Sequence, residues 1–348
     1  MTLNRPITRR AALQGIAAWA GVAWFAHAAE PSTGGRFVEK QPPVRIILDT
    51  DMDSDCDDAG ALALLHVLAD RGEAEILAIA ASSLYRWSVP YIEVINRYYG
   101  RPDLPIGAPK RDAVDSHAGS KYARAIAESV ATRWQANADA LDATAVYRRT
   151  LASQPDHSVV IVSVGDLTNI RNLLRSGPDS HSGLAGPELV RRKVIRWVCM
   201  GGRYPSHHDP RVFGNFKTDP AATVEAARDW PIEVVFSGLG DNILTGSRLK
   251  ETPPENPVRR AYELYLGKQP ARPSWDPIAV LYAVRPDAPF WRRRTEGYNH
   301  IFPNGTNEWR SEPDSSTHVL LELVAGADEE VGRTIDELII QPPRHHAP

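Results

Sequence analysis

The chain has 348 residues, 43% of them hydrophobic, with 40 basic against 43 acidic side chains and a formal net charge of −3. That apolar content is ample for a large core. A near-balanced charge without a basic stripe excludes nucleic acid as an electrostatic partner, and no low-complexity segment or internal repeat is evident.

In chain order, residues 1–29 read as an export signal rather than as part of the fold. Thr8-Arg9-Arg10-Ala11-Ala12-Leu13 is a twin-arginine pattern, an apolar stretch runs from Ala11 to Ala26, and Ala26-His27-Ala28 is a small-x-small cleavage site. The stretch is short of the ~20 residues a membrane span needs. Ala12 stands where twin-arginine signals usually carry Phe, so general secretion is the other route. The expectation is a mature protein starting near Ala29 in the periplasm of a Gram-negative cell, with no membrane insertion after cleavage. Residues 30–43 form a polar lead-in with Gly and Pro.

From there strands and helices alternate. Val44–Asp49 reads as a strand, Asp57–Ala69 as a helix, Glu75–Ala81 as a strand, Val89–Tyr99 as a helix and Leu104–Ile106 as a short strand. A helical region is expected over Lys121–Leu151, then a strand over Ser158–Val164 and a helix from Leu167. Val194–Met200 is a strand, Pro220–Arg228 a helix and Ile232–Phe236 a strand, with helices near Pro257–Leu266 and Pro277–Ala283. Continuous apolar strands alternating with helices predict an α/β fold with an open, mostly parallel sheet covered on both faces. No linker divides residues 44–348, which read as one domain. Cys56 and Cys199 are the only cysteines. Export permits a disulfide between them, but nothing demands one, and two buried thiols are expected.

The first strand-to-helix turn carries the chemistry. Six aspartates (Asp49, Asp51, Asp53, Asp55, Asp57 and Asp58) fall within ten residues straight after an apolar run. Carboxylates this close raise one another's pKa unless a cation offsets them. At the carboxyl end of a parallel strand, where open α/β sheets bind ligands, such a cluster points to a hard divalent metal with oxygen ligands, Ca²⁺ or Mg²⁺. Helix capping explains one aspartate here but not six. Three later segments reach the same edge: Val162-Ser163-Val164-Gly165-Asp166-Leu167-Thr168-Asn169, then Met200-Gly201-Gly202 with Asn215-Phe216-Lys217-Thr218-Asp219-Pro220, and Ser274-Trp275-Asp276-Pro277.

Together, from about Val44 to Ile340, these segments resemble the inosine-uridine preferring nucleoside hydrolase family. The ordered set is Asp-Asp-Ala after the aspartate-rich turn, then Val-Gly-x-Leu-Thr-Asn, Met-Gly-Gly, Asn-x-Lys-x-Asp-Pro and x-Asp-Pro-x-Ala-Val. The resemblance implies hydrolysis of the N-glycosidic bond of a ribonucleoside or related N-riboside, with Ca²⁺ at the carboxyl edge of the sheet. It implies that Asp51, Asp58, the Val164 carbonyl and Asp276 bind the ion. Asp57, in the same donor set, is the implied base for a metal-bound water. Asn215 matches a position that recognises sugar hydroxyls, and Ser83 stands where the family usually has asparagine. Family members are commonly dimers or tetramers, which implies a homo-oligomer.

This chain departs from the pattern in three places. Its aspartate loop is two residues longer than Asp-x-Asp-Pro-Gly-x-Asp-Asp, Asp53 replaces a usual glycine, and Asp55 lies in the extension, so Asp53 or Asp55 could take the role given to Asp57. Trp275 replaces a frequent histidine that assists the leaving base; it can stack on a ring but cannot supply a proton. Phe213 replaces a glutamate that contacts the sugar 5′ end. His207, together with His208 and Asp209, could substitute as a substrate contact or as the missing acid. Two other readings compete. A non-turnover binding protein of the same fold is the first. The second is a haloacid-dehalogenase-type phosphatase with Asp49 as nucleophile and Asp51 as acid/base, which leaves the Asp57-Asp58-Ala59 helix start unexplained. An EF-hand is excluded: Ser54 and Gly60 stand where the loop needs Gly and Glu, and a strand precedes it.

Overall fold

Runs that are apolar on both sides of the pleat can be buried only inside a sheet covered on both faces. In the computed structural model, which describes residues 41–110, 113–114, 119–209, 214–312 and 317–344, those runs form the centre of a nine-stranded sheet. Its strands are β1 (Val44–Thr50), β2 (Ala74–Ala81), β3 (Ile106–Ala108), β4 (Leu141–Asp142), β5 (Val159–Ser163), β6 (Val194–Met200), β7 (Val234–Ser237), β8 (Trp291–Arg294) and β9 (His318–Leu323). The spatial order is β8-β9-β7-β6-β5-β1-β2-β3-β4. All neighbours are parallel except the edge pair β8 and β9. The expected open, mostly parallel α/β fold is therefore present. The proposed export signal lies outside the described residues.

The chain winds outward from β1 through β2, β3 and β4, then returns to lay β5 on the other side of β1. In register, Asp49 of β1 lies opposite Ala80 on one side and Ser163 on the other. This reversal of strand order opens a crevice beyond the carboxyl ends of β1 and β5, where Asp51–Asp58 and Val164–Thr168 emerge.

Alternation along the strands divides the core in two. Ile46, Leu48, Val160, Val162, Val198 and Val235 pack on one face with the helices α1 (Asp57–Asp70) and Trp275–Val284. Ile47, Ala78, Ala80, Ile161, Trp197 and Phe236 pack on the other. Cys56 and Cys199 are both buried free thiols. Among the described residues, no helix is long and apolar enough to cross a membrane.

The expected helical region over Lys121–Leu151 is a correction. The chain there forms α2 (Ala123–Ala127), a 3-10 turn over Asn137–Asp139, strand β4, and a helix over Ala143–Ser153. Alanine-rich composition suggests continuous helix, but polar side chains interrupt it. Asn137 accepts from Val89 N–H at 2.8 Å and donates to the Ser83 carbonyl at 3.1 Å, Asp139 accepts from the N–H groups of Gln135 and Ala136, and Asp142 caps the next helix through Ala145 N–H at 3.1 Å. The short strand expected at Leu104–Ile106 lies at Ile106–Ala108. Beyond Ala283, the structure adds β8, β9, a hairpin of Tyr298–Ile301 with Asn307–Arg310, and a helix over Asp328–Ile339.

One buried group on α1 gives the fold a pH response. His66 Nε2 lies 2.8 Å from Asn96 Oδ1, and Arg101 Nη1 lies 3.3 Å from His66 Nδ1. Arginine can only donate, so Nδ1 accepts and Nε2 carries the proton. Burial holds the imidazole pKa down to about 3; Arg101 adds to that shift and Asn96 opposes it. In the unfolded chain the pKa returns to near 6.5. Between those values the unfolded state binds one proton more, so this contribution to stability is full above about pH 6.5 and is lost as pH falls toward about 3. We expect His66→Leu to remove about 1.4 kcal/mol per pH unit from the pH dependence of unfolding free energy between about pH 6 and 4. Urea unfolding at both pH values measures it, and an unchanged slope would refute the assignment.

Candidate active site

The aspartate-rich turn is held open by its own carboxylates. Asp53 sits at φ +85°, the left-handed region that Asp tolerates better than bulkier residues. Its side chain accepts the N–H groups of Lys121, Tyr122 and Ala123 at 3.1, 2.8 and 3.1 Å at the start of α2. The Tyr122 hydroxyl accepts from Asp53 N–H at 3.0 Å and donates to the Asp55 carbonyl at 2.7 Å. The longer loop is thus pinned to a distant segment, and Asp53 is occupied in doing so. Asp53→Ala should destabilise the protein by about 2–4 kcal/mol, from the lost charge-assisted hydrogen bonds and the strained φ. Asp53→Gly, free of that strain, should cost about 1 kcal/mol less. Denaturant unfolding of both variants tests this; equal stabilities would show that φ contributes nothing.

Asp51, Asp57, Asp58 and Asp276 are all buried. Asp57 and Asp58 open α1, whose N-cap is Cys56 with no side-chain cap bond, so neither serves as the cap. Asp58 accepts from the hydroxyls of Thr50 and Ser54, the latter at 3.3 Å. Asp57 Oδ2 accepts Asp276 N–H at 3.2 Å, which joins α1 to the start of the Trp275–Val284 helix. Asp57 Oδ1 and Asp276 Oδ1 are buried without a hydrogen-bond partner. Burial, then the charge of neighbouring carboxylates, pushes all four pKa values up, that of Asp58 to about 8. Asp49 is likewise raised to about 8 by burial, but its Oδ2 is taken by Tyr147 OH at 2.9 Å and Asn169 Nδ2 at 3.0 Å. Asp49 Oδ2 is thereby committed inside the sheet, while its Oδ1 is buried without a partner.

Arg272 is the cation beside this cluster. It lies in a short antiparallel pair with Thr245. Its Nη2 donates to Asp55 Oδ2 at 2.6 Å, and its Nε stands 3.9 Å from Asp57 Oδ1. Its guanidinium covers the rings of Trp275, 4.9 Å from the centroid, and Tyr265, at 5.2 Å. Asp55 is thereby paired, and of the three aspartates considered as base only Asp57 keeps an unpartnered oxygen.

A cavity of about 290 Å³ opens beside these groups, with Asp55, Arg203, Asn215, Asp241, Arg272 and Trp275 on its wall. Trp275 donates through Nε1 to Asp241 Oδ1 at 2.9 Å, and Asp241 Oδ2 pairs with Arg203 at 3.2 Å. Gly240, at φ +136°, lets the backbone approach; a Cβ there would stand 2.7 Å from Trp275 Cδ1. Trp275 is therefore a wall of the cavity.

Among the residues expected from sequence, the structure brings Asp51, Asp57, Asp58 and Asp276 to one edge and places Asn215 and Trp275 on the cavity. Asn215 Nδ2 donates to the Val164 carbonyl at 2.6 Å, so that carbonyl is engaged. Ser83 is buried in a turn, its hydroxyl accepting Tyr85 N–H at 3.3 Å, and it is not on the cavity wall. His208 lies in a separate shallow depression with Phe302 and Asn304, 3.5 Å from Glu308. The His207 side chain and Phe213 lie outside the described residues. Sequence reading missed Arg272 and Asp241. Each is a single charge in an irregular segment, with no spacing to signal it.

The donor set fits a hard cation in its chemistry: all-oxygen, acidic and buried, with Asp276 Oδ1 unpartnered. Among the described residues, though, no three His, Cys, Asp or Glu side chains are arranged as a formed metal centre.

A family model for inosine-uridine preferring nucleoside hydrolases matches residues 46–336. No curated protein sequence matches the chain. Among solved structures, a plant nucleoside hydrolase is similar at 16% identity and a TM-score of 0.65, over 86% of this chain and 100% of that one. An inosine-uridine preferring nucleoside hydrolase from Bacillus anthracis is similar at 14% identity and 0.61, over 85% and 99%. A purine-preferring ribonucleoside hydrolase from Gardnerella vaginalis is similar at 17% and 0.59, over 85% and 99%. At these identities the structural likeness establishes the fold, and the family match covers most of the chain. The protein is a hydrolase acting on N-glycosyl compounds. It belongs to the inosine-uridine preferring nucleoside hydrolase family.

Proposed function

We propose that the protein hydrolyses the N-glycosidic bond of a ribonucleoside or related N-riboside in a calcium-dependent reaction, with Asp57 as base. The observation that carries the reading is the buried, unpartnered Asp57 Oδ1, joined through its other oxygen to Asp276. Asp51, Asp58, Asp276 and the Val164 carbonyl would hold the ion, the carbonyl after release from Asn215. A divalent cation there supplies charge that acidifies water and offsets the repulsion among the carboxylates. The water oxygen bonds to C1′ as the C1′–N bond breaks through an oxocarbenium-like transition state. Its proton passes to Asp57 Oδ1, and the base leaves with the bonding electron pair. Asn215, freed from Val164, has donor and acceptor capacity for a ribose hydroxyl. Trp275, on the cavity wall, would lie against the leaving base. The twin-arginine pattern and the Ala26-His27-Ala28 site support action in the periplasm after export.

The deciding experiment is a panel of N-ribosides assayed for ribose release with and without a calcium chelator. Asp57→Asn should lower kcat by ~10²–10⁴-fold, as loss of a general base does. Asp58→Ala and Asp276→Ala should lose bound metal and activity together. Full activity in exhaustively chelated protein would overturn the calcium assignment.

Trp275 cannot protonate the leaving base, and acid assistance is worth ~10²–10⁴-fold. Inosine should therefore react far more slowly than p-nitrophenyl riboside, and Trp275→His should narrow that ratio of kcat/KM. Equal, rapid hydrolysis of both substrates by the parent would show that leaving-group protonation does not limit the reaction.

A further inference from the structure

Arg272 Nε and Asp57 Oδ1 are both buried, and neither has a hydrogen-bond partner. They stand 3.9 Å apart, beyond a direct hydrogen bond of about 2.7–3.2 Å. One is a donor and the other an acceptor, and leaving both unpaired out of water is costly. An oxygen about 2.8 Å from each would see them at an angle of about 90°, compatible with a hydroxyl that accepts one hydrogen bond and donates another.

We propose that Arg272 and Asp57 together bind one hydroxyl oxygen, that of the attacking water or of a ribose hydroxyl, with the arginine donating and the carboxylate accepting. The inference rests on the N-riboside reading above and adds a residue to it. The arginine is fixed before any ligand arrives. Asp55 holds Nη2 at 2.6 Å, and the Tyr265 and Trp275 rings lie against the guanidinium. Asp55 belongs to the loop extension, and the Asp53 and Tyr122 bonds hold that extension in place. The extension thus serves to present a guanidinium edge to the base. The competing explanation is that Arg272 only offsets the charge of Asp55.

The test compares kcat/KM for p-nitrophenyl riboside and its 2′-deoxy analogue in the parent, Arg272→Gln, Arg272→Lys, Asp55→Asn and the Asp55→Asn/Arg272→Gln double variant, with urea unfolding as a folding check. A hydrogen bond to a charged group is worth on the order of 10–100-fold, so Arg272→Gln should lose at least about tenfold on the riboside and the double variant should not recover. Arg272→Lys keeps the charge without the Nε donor and should also fall; it carries the test if the glutamine variant does not fold. A loss on both substrates assigns the oxygen to water, and a loss on the riboside alone assigns it to the 2′-hydroxyl. Recovery in the double variant, or a loss below about tenfold in Arg272→Gln and Arg272→Lys alike, would overturn the proposal. Should the parent release ribose from no N-riboside, the proposed function fails first. The pair is then judged by calorimetry with ribose: binding weakened about tenfold or more by Arg272→Gln supports it, and equal or absent binding refutes it.

Discussion

The constraint on which the rest depends is the removal of carboxylates from water at a single edge of the sheet. Asp51, Asp57, Asp58 and Asp276 are buried together, and burial of like charges is among the most expensive things a protein can do. The site exists only because each neighbouring charge has been given somewhere to go. Asp53 lies on the N–H groups at the start of α2, Asp55 on Arg272, and Asp49 on Tyr147 and Asn169. Within the remaining set, Asp57 Oδ1 and Asp276 Oδ1 are buried without a hydrogen-bond partner.

That distribution separates scaffold from chemistry within one short turn. The alternating aspartates look equivalent in sequence, yet strand pleat, a left-handed residue and a helix start send them in different directions. Asp49 follows the pleat into the sheet, Asp53 turns away at positive φ, and Asp57 and Asp58 are carried by the first turn of α1. The link from Asp57 to the backbone of Asp276 ties two segments far apart in sequence, so the spacing of the crevice is set by how α1 packs on the Trp275–Val284 helix.

Much of this was legible in the sequence, for a physical reason. Buried parallel strands are uniformly apolar, so β1, β2, β5 and β6 read clearly. The ordered motifs lie at their carboxyl ends, where Asp51, Asp57, Asp58 and Asp276 are buried. Elements stabilised by tertiary contacts were not legible. The break between α2 and the helix over Ala143–Ser153 depends on where the Asn137 side chain reaches. Arg272 owes its place to a two-residue strand pair and two aromatic rings, none of which has a local signature. Ser83 shows the converse. It aligned with a polar family position, but its hydroxyl closes a turn with Tyr85 N–H.

The two borders of the sheet are unlike its centre. At one end β4 is only two residues long, Leu141–Asp142, and its last residue already caps a helix. At the other, β8 runs antiparallel as Trp291-Arg292-Arg293-Arg294, with its arginines exposed and paired to Glu233 and Glu322. A free strand edge is a template on which another chain can add itself; one end offers too little backbone to copy and the other a row of cations. Among the described residues, this sheet therefore offers little at either end for a further strand to pair with.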